Sequence, residues 1–518
     1  MHVLLRLAAT LASAALYGWS FPLVGIRGLA WIALAPFLVA VRRAGTAGAV
    51  ALSAAWTVAG TYAVADWLPR SVSIYYQQPL RIGAALFFGV AAGVFPYVLA
   101  FVLGYRHVAR TPTRCVPLVA GAAWAAIEWG RATLVIGDPW GTFGYSQSGV
   151  GTVMQVADVA GVYGLSFLLV TMNAALAEVW LTRRDESYRS EALRGLSVAA
   201  AVLAVALAYG RLRLAAAPAE PPSASTRVAI IQGNLDMGSQ WHQEFYGRNL
   251  DIYLALTLEA LRQKRPALVV WPESAMTFFL DQEPDYRAAL RGTLGPYGAA
   301  LIAGAPRFSG PPEAPAYYNT AFLISPTGEV VASYDKQRLL PFAEYFPIPA
   351  LDFLRRRFAR VRQFTPGESK ALLPTAAGPA GIVICNEAVF PDLPGERVRA
   401  GATYLVNPAN DTWVNDPRFS AELFDMVSLR AVEQRRYLVR ASTSGFSAIV
   451  DPWGRTTAVT APFTRGWVVG SIEGLDGITL YGRFGDLFVL VALASALLGH
   501  AALVTRRSRV RSEATSCA

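Results

Sequence analysis

The stretch Gly381-Ile382-Val383-Ile384-Cys385-Asn386-Glu387 sets a β-branched run directly before a cysteine and two polar residues. Val and Ile fit a buried pleated surface, and a run this short and β-branched reads as a strand rather than a helix. Cys385 is then expected at the strand's carboxyl end, where a sheet presents reactive atoms to a crevice. Alone, a free cysteine is more often a small buried hydrophobe than a nucleophile. Two further runs reverse that balance. Leu268-Val269-Val270-Trp271-Pro272-Glu273 ends on a carboxylate, and Val331-Ala332-Ser333-Tyr334-Asp335-Lys336 ends on an amine. A thiol needs a base or a nearby cation to attack at neutral pH. Glu273 is expected to take its proton, and Lys336 to stabilise the thiolate and the oxyanion formed on attack.

Lysine usage singles out the same residue. Of 46 basic residues, only Lys264, Lys336 and Lys370 are lysine. A compact ammonium suits a tetrahedral oxyanion better than a planar guanidinium fork, so Lys336 is read as retained for chemistry and the other two as solvated charges.

Around these runs, residues 227–474 show short β-branched segments alternating with helical stretches, as in a mixed α/β domain with its own core. Strands are expected at 228–232, 267–271, 300–304, 320–325, 329–334, 380–385, 404–407, 438–442 and 448–451, with turns at Pro326-Thr327-Gly328 and Pro452-Trp453-Gly454.

The rest of the chain is of another kind. Over 518 residues, 54% are hydrophobic and 16% charged, a composition that calls for a large membrane-embedded part. Apolar segments at about 4–21, 23–41, 47–66, 82–104, 115–130, 158–180, 194–212 and 485–504 are each near the length of a bilayer crossing, so a polytopic α-helical bundle of about eight spans is expected. The first reads as an uncleaved anchor. Arginines follow the second, fourth, sixth and eighth segments, at Arg42 and Arg43, at Arg106, Arg110 and Arg114, at Arg183, Arg184, Arg189 and Arg194, and at Arg506, Arg507, Arg509 and Arg511. The positive-inside rule then puts both termini in the cytoplasm and the α/β domain outside it. The expected organisation is a bundle over 1–214, a Pro/Ala/Ser-rich linker over 215–226, the α/β domain over 227–474, a last span within 475–505 and a cytoplasmic tail over 506–518.

Composition also excludes classes. The net charge of +10 is explained by topology, and no helix-turn-helix, zinc-finger or RNA-binding signature is present. The four histidines form no ligand-spaced cluster, so no metal or cofactor is implied. Three cysteines, at 115, 385 and 517, imply no disulfide framework.

Trp271-Pro272-Glu273-Ser274, Tyr334-Asp335-Lys336 and Cys385-Asn386-Glu387 resemble the Glu-Lys-Cys triad motifs of the nitrilase superfamily, which implies an αββα sandwich. With spans on both sides, the whole chain is similar to the apolipoprotein N-acyltransferases. Gly137-Asp138-Pro139-Trp140, Phe143-Gly144-Tyr145-Ser146-Gln147, Tyr317-Tyr318-Asn319-Thr320, the run 340–347, Asn410-Asp411-Thr412-Trp413 and Arg430-Ala431-Val432-Glu433 carry the likeness.

That resemblance implies a bacterial inner-membrane enzyme working by a ping-pong reaction. Cys385 takes an acyl chain from a phospholipid as a thioester, then passes it to the α-amino group of a diacylglyceryl-cysteine on an apolipoprotein. It assigns Glu344 a part in holding the triad. Glu387 is expected to orient neighbouring groups, and the backbone at Asn386 to add an oxyanion donor. Trp140, Trp241, Tyr345 and Trp413 are candidates for lipid contact, and a monomer is expected. Departures from the family pattern are Asn386 in place of an aromatic, Ala343 in place of Gly, Glu422-Leu423 in place of Gln-His and Val414-Asn415 in place of Phe-Gly. The competing readings are a membrane-anchored nitrilase-type amidase, with water resolving the acyl-enzyme, and a lipid-binding or transport protein with an inactive domain. The intact triad and the scarcity of central charges in the spans argue against the second.

Overall fold

A computed structural model describes residues 2–22, 24–134, 137–218, 225–236, 242–346 and 363–516. The chain divides into two compact units. One comprises Met1–Pro69, Arg81–Ala215 and Phe484–Ala518, the other Arg70–Leu80 and Ala216–Arg483.

The first unit is helical. Thr46–Ala65, Leu80–Val108, Ala157–Thr182, Tyr188–Ala215 and Leu487–Thr505 are long and apolar enough to cross a membrane. Three of the eight expected segments fall short of that standard. The first forms His2–Trp19, one residue longer than a short apolar helix over Val3–Trp19. Residues 23–41 do not form one helix: a 3-10 turn at Arg27–Trp31 precedes the short helix Ala35–Arg42, because Gly25 takes a positive φ of 68°. Val116–Thr133 is continuous but carries Glu128 and Arg131.

Burial separates the helices' roles. The apolar window of Ala157–Thr182 is 78% buried, against 11% for Leu487–Thr505, whose exposed Leu490, Val491 and Leu498 are suited to a hydrocarbon surround. The centre of the unit holds more charge than the sequence suggests. Glu128 accepts from Trp124 Nε1 (2.7 Å) and the Phe143 N–H (2.8 Å), Asp158 from Tyr209 (2.7 Å), and Glu178 from Tyr105 (2.5 Å). Each of these three carboxylates thus accepts at least one hydrogen bond, as low dielectric requires.

The second unit is an αββα sandwich. Its strands are β1 (Thr226–Gln232), β2 (Leu268–Val270), β3 (Ala300–Ser309), β4 (Ala316–Ile324), β5 (Val330–Asp335), β6 (Leu373–Thr375), β7 (Gly378–Ile382), β8 (Tyr404–Ala409), β9 (Leu438–Ser442), β10 (Ala448–Val450), β11 (Thr456–Val459) and β12 (Gly466–Ile472). They form two six-stranded sheets, ordered β12-β1-β2-β3-β4-β5 and β11-β10-β9-β8-β7-β6. The centres, β1-β2-β3 and β7-β8-β9, are parallel, with antiparallel strands outside them. Strand alternation sends Val228, Ile230, Val270 and Ile302 of one sheet against Ile382, Val406 and Val439 of the other, making the inner core. The opposite faces of the same strands, Ala229, Ile231, Val269 and Leu301, pack under the helices Tyr246–Lys264 and Pro284–Leu294. On the far side, Asp392–Arg399 and Pro417–Gln434 cover the second sheet.

Strands β6, β11 and β12 are the ones the sequence pattern passes over. β12 carries glycines at 466 and 470, and β6 a proline at 374, residues that weaken a strand signal and suit edges. Strand β7 also ends earlier than expected, at Ile382 rather than Cys385.

Candidate active site

Glu273, Lys336 and Cys385 come from three different strand ends, and the fold gathers them by local bonds. After β2 the chain turns at once. Trp271 N–H pairs with Ile302 (2.8 Å), the Gly304 N–H with Pro272 (3.2 Å), and the Met276 N–H with Gly304 (3.0 Å). The turn therefore lies flat on β3. A Cβ at Gly304 would stand 2.7 Å from the Glu273 Cα, so only glycine permits this approach.

Lys336 directly follows β5. Its N–H pairs with the Asn319 carbonyl (2.8 Å), one residue beyond the β4–β5 register Thr320↔Asp335, so the two residues face each other across the strands. Their side chains serve the same two carboxylates. Lys336 Nζ lies 3.1 Å from Glu273 Oε1 and 2.8 Å from Glu344 Oε2. Asn319 Nδ2 donates to Glu273 Oε1 and to Glu344 Oε1, each at 2.7 Å. The second oxygens are held by main chain: the Asn410 N–H reaches Glu273 Oε2 (3.0 Å), and the Leu340 N–H reaches Glu344 Oε2 (2.7 Å).

Cys385 opens a 3-10 turn, Cys385–Val389, with φ of 50°. A side chain in the left-handed region is strained by roughly 1–3 kcal/mol and persists only where its surroundings over-determine it. Here they do. Asn407 Nδ2 donates to the Val383 carbonyl (2.6 Å) and the Cys385 carbonyl (3.2 Å), and Arg440 grips the Asn407 Oδ1. Glu387 lies beneath the turn as a brace. It accepts from Ile384 N–H (2.7 Å), Gln337 N–H (2.7 Å), Arg338 N–H (3.0 Å) and the Tyr334 hydroxyl (2.9 Å), tying the cysteine turn to the segment after Lys336. Arg397 Nη2 reaches the same Tyr334 oxygen (2.6 Å). Asn386 donates from Nδ2 to the Arg338 carbonyl (3.3 Å), and its Oδ1 is buried without a partner.

The site is closed to solvent: Lys336 is 1% exposed, Cys385 5% and Glu273 6%. Burial pushes the Cys385 thiol well above its ordinary range, and the Glu273 charge adds to the rise. Lys336 and the Asn410 N–H pull the other way. Burial opposes the Lys336 charge, but the Glu273 and Glu344 charges outweigh it and keep the ammonium protonated. The resting site is thus a neutral thiol beside a fixed cation and a carboxylate able to take its proton. Lys370, by contrast, pairs with Glu396 at 59% exposure, and Lys264 is exposed.

The structure brings Glu273, Lys336, Glu344 and Cys385 together, with Glu387 and Asn386 behind. Tyr345 and Trp413 lie in the same unit on the turns that carry Glu344 and Asn410, whereas Trp140 belongs to the helical unit, where its indole donates to the Val64 carbonyl (3.2 Å). Trp241 lies outside the described residues. Asn319, Asn407, Asp411 and Arg440 are contributors that strand-end reasoning missed. Asn319 was visible only as part of the Tyr-Tyr-Asn-Thr motif, and Arg440 reads in sequence as a charge in a strand.

Two helix-clad sheets with Glu, Lys and Cys converging at their strand ends define a nitrilase-type, or carbon-nitrogen hydrolase, domain, and the Carbon-nitrogen hydrolase family model matches residues 227–475. A second family model, Apolipoprotein N-acyltransferase N-terminal domain, matches residues 13–175. The apolipoprotein N-acyltransferase of Geobacter metallireducens is 34% identical over 506 residues, covering 96% of this chain and 95% of its own length. That of Nitrosomonas europaea is 30% identical over 488 residues, covering 90% and 91%. Among solved structures, a mutant of the Nesterenkonia AN1 amidase from the nitrilase superfamily matches 49% of this chain and 94% of its own at 22% identity, with a TM-score of 0.38. The chain belongs to the apolipoprotein N-acyltransferase family: it is an acyltransferase in which apolar helices are joined to a nitrilase-like domain.

Proposed function

We propose that the protein transfers an acyl chain from a phospholipid, through a thioester on Cys385, to the α-amino group of the diacylglyceryl-cysteine of an apolipoprotein. The observation that carries this reading is the placement of Lys336 Nζ between Glu273 and Glu344, beside a buried thiol. In the first half-reaction Glu273 accepts the Cys385 proton as the sulfur attacks the ester carbonyl. Lys336 and the backbone N–H at Asn386 face the developing oxyanion. Collapse of the tetrahedral centre breaks the ester C–O bond, and the proton held by Glu273 passes to the departing lysophospholipid oxygen.

In the second half-reaction the neutral amine attacks the thioester, Glu273 takes its proton, and the sulfur leaves as thiolate stabilised by Lys336 until reprotonated. Glu344 holds Lys336, and Glu387 and Asn386 set the cysteine turn. Trp140, Trp241, Tyr345 and Trp413 are the aromatic residues proposed for lipid contact. Both substrates are lipid-anchored, which accounts for joining the hydrolase-like domain to apolar helices. The arginines after alternate apolar segments support a catalytic domain on the extracytoplasmic side of the inner membrane with both termini cytoplasmic.

The test is to incubate the purified protein with labelled phospholipid and look for a hydroxylamine-sensitive acyl group on Cys385, then chase with a diacylated lipopeptide. Transfer to the peptide is expected. Release as free fatty acid would instead identify an amidase-like hydrolase.

A further inference from the structure

Residues 70–80 lie in the chain between the apolar helices Thr46–Ala65 and Leu80–Val108, outside the stretch matched as a carbon-nitrogen hydrolase, yet they fold into the catalytic unit. The segment is internally fixed. The Tyr76 N–H pairs with Val72 (3.1 Å), the Gln77 N–H with Ile74 (3.2 Å) and the Gln78 N–H with Ser73 (2.9 Å), and the chain reverses at Gln77 with φ of 54°. Tyr75 and Tyr76 pack edge to face with ring centroids 4.8 Å apart.

From that base the segment reaches two turns of the site. The Tyr76 hydroxyl donates to the Phe342 carbonyl. Phe342 itself has φ of 65°, a conformation that needs outside support, and its N–H closes a tight turn on Tyr345 (2.8 Å). That turn carries Glu344, whose N–H pairs with the Leu340 carbonyl (2.9 Å) and whose Oε2 receives the Leu340 N–H (2.7 Å) and the Lys336 ammonium (2.8 Å). On the other side, the Tyr75 ring meets Trp413 at 6.3 Å, and Ser71 Oγ lies 3.4 Å from the Val414 carbonyl. This second turn begins at Asn410, whose N–H donates to Glu273 (3.0 Å). One short segment thus touches both turns whose main chain fixes the carboxylates flanking Lys336.

We infer that Tyr76 is a positioning residue for the reaction: its hydroxyl, through the Phe342 carbonyl, holds the Leu340–Tyr345 turn so that Glu344 stays on Lys336. Burial raises the Tyr76 phenol, so it remains a hydrogen-bond donor across the working pH range. The role rests on the acyl-transfer reading for its consequence in catalysis but not for its effect on the thiol.

The experiment uses the full-length protein with Cys115→Ser and Cys517→Ser, so that iodoacetamide reports only Cys385. Loosening Glu344 leaves the Lys336 charge less neutralised, which favours the thiolate. Tyr76→Phe is therefore expected to move the alkylation profile to lower pH, and to slow single-turnover acylation by phospholipid about fivefold with KM little changed, the scale of one hydrogen bond. Glu344→Gln should shift the profile the same way, and adding Tyr76→Phe to it should change nothing further. An alkylation profile of Tyr76→Phe that superimposes on its parent, or effects of the two substitutions that multiply in the double variant, would overturn the assignment. Failure of phospholipid to acylate any variant would count against the proposed donor and leave the alkylation result standing.

Discussion

Arg440 Nη2 bridges both carboxylate oxygens of Asp411, at 3.0 and 2.9 Å, with neither side chain exposed. The pair lies behind Cys385. Arg440 holds Asn407, which holds the Cys385 carbonyl, and Asp411 adjoins Asn410, whose N–H meets Glu273. Arg440→Met leaves Asp411 buried and uncompensated, which costs about 3–5 kcal/mol. Thermal unfolding in detergent is expected to begin roughly 10 °C lower, by the usual scaling for a domain of this size. An unchanged transition would show that the pair contributes no net stability.

Cys385 itself separates chemistry from strain. Cys385→Ala and Cys385→Ser both remove the acyl-enzyme and all N-acylation while leaving the protein membrane-inserted, and full activity in either would refute the nucleophile. Cys385→Gly is equally inactive but meets no side-chain penalty at φ of 50°. It is expected to be more stable than Cys385→Ala by about 1 kcal/mol, as measured by denaturant titration of the two proteins side by side.

The resting thiol should titrate late. Burial and the Glu273 charge raise it, so the thiolate fraction is small at neutral pH and grows as the medium becomes alkaline. The alkylation rate of Cys385 by iodoacetamide should accordingly keep rising above pH 9, where an ordinary thiol levels off with its pKa near 8.5. Lys336→Met removes the one buried ammonium beside it and should lower the rate at pH 8 by on the order of tenfold, the equivalent of about one pKa unit. A profile that levels off near pH 8 in the unsubstituted protein would contradict the burial argument.

Asn319 joins Glu273 to Glu344 through one amide nitrogen, 2.7 Å from each. Asn319→Asp replaces that donor with a third carboxylate around Lys336. The two glutamates are then pushed apart, and a displacement of about 1 Å at a reacting group is enough to lower turnover on the order of a hundredfold. Single-turnover acylation is the measurement, and activity within twofold of the parent would mean that Lys336 and the main-chain N–H groups of Asn410 and Leu340 hold the carboxylates without Asn319.

Gly304 offers a test from outside the polar cluster. Its Cβ position is filled by the Glu273 turn, so Gly304→Ala must displace either β3 or Glu273. We expect acylation to fall at least about tenfold while Cys385 stays accessible to iodoacetamide, because a shift of under 1 Å in the base affects proton transfer more than it affects entry.

Much of this architecture is written in local sequence. Short apolar-rich runs at 268–270, 404–407 and 438–442 become strands because they suit a surface buried on both faces. The hairpin at Pro326-Thr327-Gly328 forms because Gly328 supplies a φ of 80°. Five apolar segments become helices of bilayer length because an unbroken apolar window can satisfy its backbone only internally. The candidacy of Glu273, Lys336 and Cys385 is likewise legible, since each type of residue follows a strand signal and two of the three are rare in this composition.

Tertiary structure decided the rest. Sequence places Cys385 on a strand, whereas the strand stops at Ile382 and the cysteine turns at positive φ, because Asn407 of β8 binds the carbonyls of Val383 and Cys385, and Glu387 of the same turn is anchored on the main chain of Gln337 and Arg338. It cannot show that Asn319 faces Lys336, since cross-strand register depends on pairing between β4 and β5. Nor can it assign residues 70–80 to the catalytic unit, because no local pattern marks a segment between two apolar helices as the support of a distant turn. Periodicity and residue chemistry are properties of neighbours along the chain, and they fixed the strands and the reactive groups. The strained thiol, the doubly bridged carboxylates and the hold on Glu344 are properties of neighbours in space, set only when both sheets close around one core.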